Sequence, residues 1–269
     1  FDYSPIIGRS FAANPSATSA HAALGHPSPA VMSLLGHPHG PSTVACSSCS
    51  AGKSTRVFPK ESSTPPSTAP LQLIHADVCG PFPVPGLVSE KYFLTIVDDF
   101  TKWTQVIPLN LKSECNALMK NFILSSENHF SSQGFKVVTV RTDNGGEFCN
   151  NVINEFYFEK GIQHQLTVPY NSSQNGVVER KHRTIQEKVR ILLHSSGAPN
   201  KFWPEAVKTA EFLINRYPSP FLKNKSPFEL WFGYAPDYCQ LYIYVYLYQY
   251  HQLFGHQKSH SLQALHSDK

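Results

Sequence analysis

Between residues 71 and about 217 the chain alternates two hydrophobic periods, and this alternation constrains its fold more than any other feature. Strand-like runs are LQLIHADV (71–78), YFLTIVDDF (92–100), TQVIPL (104–109), KVVTVRTD (136–143) and IQHQLTV (162–168), the last placing Ile162, His164, Leu166 and Val168 on one face. Helical patterns interleave with them. Ser113 reads as an N-cap ahead of Cys115, Leu118 and Phe122, with Gly134 after the end. Val152, Ile153, Phe156 and Tyr157 mark a second helix stopped by Gly161, and a third runs from about 174 to 196, stopped by Gly197. A fourth starts at Pro204 and carries Val207, Ala210, Leu213, Ile214 and Tyr217 on one side. Such interleaving predicts an α/β domain with a mixed sheet flanked by helices. A segment of this length buries roughly 70% of its unfolded surface and should fold by itself.

Four segments are expected. Residues 1–59 form a small N-terminal module, and 60–70 (KESSTPPSTAP) form a Ser/Thr/Pro linker. The α/β core spans 71–217, and an extension spans 218–269. In that extension six of the twelve tyrosines fall within 238–250, five of them in a run (YIYVYLYQY) that is apolar on both faces and so needs partners. The longest apolar stretch, Tyr242 to Tyr248, is far short of the ~20 residues that cross a bilayer. The chain begins with Phe1 rather than Met and shows no signal peptide, which suggests a piece of something longer. Its six cysteines are scattered apart from Cys46 and Cys49, which points to a reducing, intracellular setting.

The N-terminal module offers His21, His26, Cys46 and Cys49, in the pattern H-x4-H followed by C-x2-C. Two imidazoles and two thiolates suit tetrahedral Zn²⁺. Gly25 permits the turn that brings His26 back towards His21, and His37 and His39 are alternative ligands. The module has too few apolar groups to stabilise itself, so chelation is expected to unfold it while sparing the core.

Three acids stand out by position. Asp77 lies at the end of the first strand, Asp143 follows VVTVRT, and Glu179 sits in the first turns of the third helix with 35 residues between it and Asp143. Grouped carboxylates repel unless cations neutralise them, and such a trio suits Mg²⁺ at a phosphodiester. Asp98, Asp99, Glu147 and Glu155 are rival carboxylates that spacing alone does not exclude.

The words GHPS (25–28), CSSCSAGK (46–53), HADVCGP, FLTIVDDFTKW, VRTDNGGEF, PYNSSQNGVVERKHRT and KSPFELWFGYAPD (225–237) resemble the integrase region of Copia-type LTR retrotransposon polyproteins. The resemblance covers roughly residues 21–237. It implies a zinc-binding pre-integrase module followed by a catalytic core of the ribonuclease H-like fold. It carries the D, D-35-E triad onto Asp77, Asp143 and Glu179, and the zinc ligands onto His21, His26, Cys46 and Cys49. The implied activity is joining of element DNA 3′ ends to target DNA, with two Mg²⁺ (or Mn²⁺) ions per active site and one structural Zn²⁺. The implied partners are element ends, target DNA, further copies of the chain, and neighbouring protease and reverse transcriptase domains; the implied setting is the nucleus. Two alternatives are a catalytically silent nucleic-acid-binding remnant and a nuclease of the same fold that cuts without joining. The family usually carries Trp and Arg where Ala20 and Ala23 stand here, and it continues after Asp237 with a word absent from this tail.

The helix carrying Glu179 is basic. Residues 180–190 hold Arg180, Lys181, Arg183, Lys188 and Arg190 against Glu187, a net +4 that equals the formal charge of the entire chain. At about 100° per residue, Val178, Ile185, Val189 and Leu192 form a core-facing stripe. Asn175, Arg183, Gln186 and Arg190 fall within about 40° of Glu179 and are expected to face DNA, whereas Lys181 and Lys188 are expected on a solvated side. Arg183→Ala is expected to weaken DNA binding about equally across sequences and to lower the salt slope by about one. Lys188→Ala is expected to do less, and binding constants measured against salt concentration check both.

Overall fold

The computed structural model describes residues 17–36, 46, 49, 67–167 and 172–238. The Tyr-rich run at 242–250, linker residues 60–66, His37, His39 and Val168 lie outside the described residues, as does the side chain of Asn175. Five strands form one mixed sheet: β1 (Leu73–Cys79), β2 (Tyr92–Asp98), β3 (Thr104–Leu109), β4 (Thr139–Thr142) and β5 (Gln163–Leu166), in the order β3-β2-β1-β4-β5. The first three are an antiparallel meander, while β4 and β5 run parallel to β1. Parallel neighbours need crossover connections, and helices supply them.

Two short helices, α1 (Ala17–Ala23) and α2 (Pro29–Leu34), precede the sheet. Then follow α3 (Cys115–His129), α4 (Asn151–Lys160), α5 (Ser172–Ser196), α6 (Trp203–Arg216) and α7 (Pro227–Phe232). The helix boundaries follow local chemistry. Asn150 accepts from Ile153 N at 3.3 Å to cap α4, and Gly161 closes it at φ 68°. Ser113 is not a cap. It lies inside a short 3₁₀ turn, and the longer side chain of Glu114 reaches back instead to Leu111 N (2.6 Å) and Asn110 N (3.2 Å).

The sheet is covered on both faces. One apolar cluster joins Ile74, Ala76, Leu94 and Ile96 to Met119 and Phe122 of α3 and Ile153 and Tyr157 of α4. The other joins Phe93 and Val106 to Ile185, Val189 and Leu192 of α5 and Val207, Ala210 and Leu213 of α6, and it extends to Ala20, Leu24 and Met32. The expected stripe of α5 is therefore the buried one. Neither lysine that was expected in solvent is there. Lys188 is buried and donates to Gly25 O at 3.1 Å, because a carbonyl 163 residues away caps it. Lys181 is half-buried, its ammonium pushed down to about 8 by burial and then by the charge of Lys102.

Among the rival carboxylates, Asp98 has a structural role. It is fully buried and accepts from Leu71 N (2.8 Å), Thr101 N (2.7 Å) and Thr101 Oγ1 (2.7 Å). Asp99 accepts from Ser67 N at 3.0 Å and from Lys102 Nζ at 2.7 Å, so the described end of the linker is fastened to the turn after β2. Burial alone would raise the Asp99 carboxyl, but the His75 ring 3.6 Å away and the hydrogen bonds from Lys102 and Ser67 hold it well below the usual carboxylate range. Asp98→Asn would turn an amide N–H₂ towards one of three donors. It is expected to cost about 2–3 kcal/mol in urea unfolding and to leave the site around Asp77 in place.

Candidate active site and metal centre

The parallel pairing of β1 and β4 sets the centre of the site. Leu73 lies opposite Thr139, Ile74 opposite Val140 and His75 opposite Arg141. The same offset, carried two residues beyond the last of these pairs, brings Asp143, the residue after β4, level with Asp77. Adjacent strands lie about 4.8 Å apart, so the two carboxylates share one edge of the sheet. Glu179 stands exposed on α5, and its charge is felt at Asp77. Asp77 is raised to about 7, first by burial and then by the negative charge of Asp143, with Glu179 and Glu147 adding to it. All three of those neighbours are acids, so a cation placed among them would favour the ionised form of Asp77, and carboxylate donors suit a hard divalent ion.

Each word of sequence around the trio has a local role. In TDNGGEF, Gly145 N donates to Asp143 Oδ1 at 3.0 Å, which folds the chain back after the strand. A Cβ at Gly145 would stand 2.7 Å from Glu147 Oε2 and 3.0 Å from Asp143 Oδ1, so a side chain there would displace the Glu147 carboxylate. Phe148 is fully buried and anchors the loop in the α3/α4 cluster. Glu147 is paired with Lys112 Nζ at 2.6 Å, so this rival carboxylate already has a cationic partner. In HADVCGP, Ala76 is core, Asp77 Oδ1 accepts from Val78 N at 2.8 Å, and Cys79 Sγ accepts from Gln186 Nε2 at 3.0 Å.

The residues expected to face DNA separate here. Gln186 binds the end of β1 through Cys79. With Arg190 it also lines a cavity of about 380 Å³ whose walls include Phe82, Val84 and Trp203. Arg183 is half-buried and Arg190 exposed.

His182 was not singled out from the sequence. Its Nδ1 lies 3.6 Å from Asp77 Oδ2, and its ring stands edge-on to Phe93 at 5.5 Å. Burial lowers its pKa to about 4 despite the pull of Asp77, so it is a neutral neighbour at neutral pH. A signal was available: His182 follows Glu179 by three residues and so shares its side of the helix.

The second site lies at the end of α1. His26 N donates to His21 O (2.8 Å) and Gly25 N to Ala22 O (3.0 Å), with Gly25 at φ +72°. This is the paired-bond helix ending in which the residues at either end of the longer bond normally make an apolar contact. Here those two residues are His21 and His26, with ring centroids 4.8 Å apart. Cys49 Sγ lies 3.2 Å from His21 Nε2, and Cys46 Sγ lies 3.2 Å from His26 Nδ1. The ligand atoms of the four residues all lie within 4.8 Å of one another. A tetrahedral zinc with N and S ligands has N···S edges of about 3.5 Å, so the group is compatible with zinc.

A five-stranded mixed sheet flanked by helices matches the fold of the integrase catalytic core. Residues 67–172 match the family model described as the integrase core domain. The chain is 36% identical over 236 residues to the retrovirus-related Pol polyprotein from transposon RE1 of Arabidopsis thaliana, covering 84% of this chain and 16% of that protein. It is 36% identical over 215 residues to the Pol polyprotein from transposon TNT 1-94 of Nicotiana tabacum, covering 80% of this chain and again 16% of the relative. The chain belongs to the integrase region of Copia-type retrotransposon Pol polyproteins, and it spans about one sixth of the length of those relatives. Its fold superposes on a chain of the simian T-cell lymphotropic virus intasome, solved by cryoEM in complex with PP2A regulatory subunit B56 gamma. The TM-score is 0.51 at 18% identity, over 83% of this chain and 76% of that one.

The raised Asp77 has a consequence for stability. Its folded pKa lies above its unfolded value, so the folded state holds a proton that the unfolded state releases between about pH 4 and 7. The metal-free protein should therefore lose stability as pH rises through that window, and Asp77→Asn should flatten the profile. Thermal melts between pH 4 and 8 in chelator check this.

Proposed function

We propose that this chain is a DNA strand-transfer enzyme that joins the 3′ ends of element DNA to target DNA, with Asp77, Asp143 and Glu179 holding two Mg²⁺ or Mn²⁺ ions. The single observation that supports this most is the shared β1/β4 register, which puts Asp143 level with a buried Asp77 whose ionisation is suppressed by its acidic neighbours. When bound, such ions supply Lewis-acid activation of the attacking oxygen, water or a 3′-hydroxyl, and stabilise the departing 3′-oxygen in an in-line displacement. The remaining work belongs to the chain. Asp77 and Asp143 are held by strands, so their separation is preset. Glu179 arrives on a helix and can close onto them. Neutral His182, edge-on to the Phe93 ring, stands beside Asp77 without compensating its charge, which leaves that charge for a cation. Arg183 and Arg190, on the Glu179 side of α5, are assigned to phosphate contact. His21, His26, Cys46 and Cys49 are assigned one structural Zn²⁺. The active assembly is a multimer of this chain on DNA, working in the nucleus and released from a longer polyprotein.

The test is a joining assay with blunt and pre-recessed DNA ends in Mg²⁺. Joining by the wild type, and its loss by at least about a thousandfold in Asp143→Asn with circular dichroism unchanged, is the expected result. Cutting without joining would make the protein a nuclease, and neither activity would make it a silent remnant. Metal analysis should find one zinc per chain, lost in Cys46→Ser with Cys49→Ser.

A further inference from the structure

The turn that ends α1 is held from behind by the helix that carries Glu179. A helix leaves its last carbonyls unpaired, and cations and donors are favoured there. For α1 those donors come from the catalytic part of the chain. Lys188, nine residues beyond Glu179 on α5, donates to Gly25 O at 3.1 Å and stands 4.7 Å from the centre of the Tyr217 ring. Tyr217, just past the end of α6, donates its hydroxyl to the adjacent carbonyl, Leu24 O. Gly25 admits no side chain at this contact, because a Cβ would stand 2.4 Å from Leu213 Cδ1. Ala20, Leu24 and Met32 are no more than 4% exposed and share one apolar cluster with Ile185, Val189, Leu192 and Leu213. The first histidine of the His/Cys group therefore lies one residue from a buried member of this cluster, and the second follows the clamped glycine directly.

We infer that Lys188 and Tyr217 are positioning residues that couple the His21/His26/Cys46/Cys49 site to the helix carrying Glu179, so that filling the site steadies that helix and emptying it loosens the core. The inference rests on the zinc reading above. It replaces the expectation that chelation spares the core, because residues 17–36 lack a separate core and complete the α5/α6 cluster instead. Coupling of this kind is reciprocal: whatever weakens the clamp must weaken zinc binding by the same factor.

The full chain tests this with its own fluorescence, since its three tryptophans, Trp103, Trp203 and Trp231, all lie in the two clusters of the core. Wild type is melted with stoichiometric zinc and after chelation, and zinc affinity is measured by competition with a chromophoric chelator. Chelation should lower the tryptophan-reported midpoint by about 5 °C or more. Lys188→Met and Tyr217→Phe should each reduce that shift by at least half and weaken zinc about tenfold. Lys188→Arg, which keeps the charge and a donor, should restore most of both. If Lys188→Met fails to fold, Tyr217→Phe, which loses one oxygen atom, carries the comparison. A wild type that binds zinc yet melts identically without it overturns the coupling alone, as does unchanged zinc affinity in Tyr217→Phe. A wild type that takes up no zinc overturns the zinc reading and the coupling together.

Discussion

The parallel pairing of β1 with β4 is the constraint on which the rest of the structure depends. It is a backbone relation, set by three residue pairs between Leu73 and His75 on one strand and Thr139 and Arg141 on the other. Extended by two residues, it brings together two acids that lie 66 positions apart in the chain. Both strands are central, and β1 is covered on both faces, so the register cannot slip without turning Ile74 and Ala76 out of the core. The geometry of Asp77 and Asp143 is therefore protected by the same burial that stabilises the fold.

That burial has an electrostatic cost which the site leaves uncompensated. Asp98, the last residue of β2, and Asp99, on the turn that follows, are buried too, but backbone N–H groups, Thr101 and Lys102 satisfy them. Glu147 has Lys112. Asp77 has one backbone donor, a neutral imidazole and three acidic neighbours. The contrast separates acids that the fold satisfies from one that it leaves with little compensation.

The N-terminal segment repeats the pattern on a smaller scale. One helix ending brings two histidines together, and the same ending presents two carbonyls to Lys188 and Tyr217. Ligand geometry and docking geometry are thus two sides of one turn. Ala20 is 1% exposed against α5 and α6, so a small side chain suits the close approach.

Much of this was legible in the chain. The five strands, the breaks at Gly161 and Gly197, the Pro204 start and the apolar stripe of α5 all follow from local periods and from residues with special backbone freedom, which act over a few positions. So do the H-x4-H pair and its Gly25 turn. The acid trio could be named but not chosen over Asp98, Asp99 and Glu147, because spacing does not say which carboxylates have hydrogen-bond donors. Ser113 lost its cap to Glu114 through side-chain reach, which composition does not encode. Lys188 and Lys181 looked solvated because a helical wheel knows only its own helix. Which carbonyl, charge or neighbouring helix stands opposite depends on contacts between segments far apart in the chain, such as Gly25 against Lys188, and those exist only once the sheet and its two covering layers have closed.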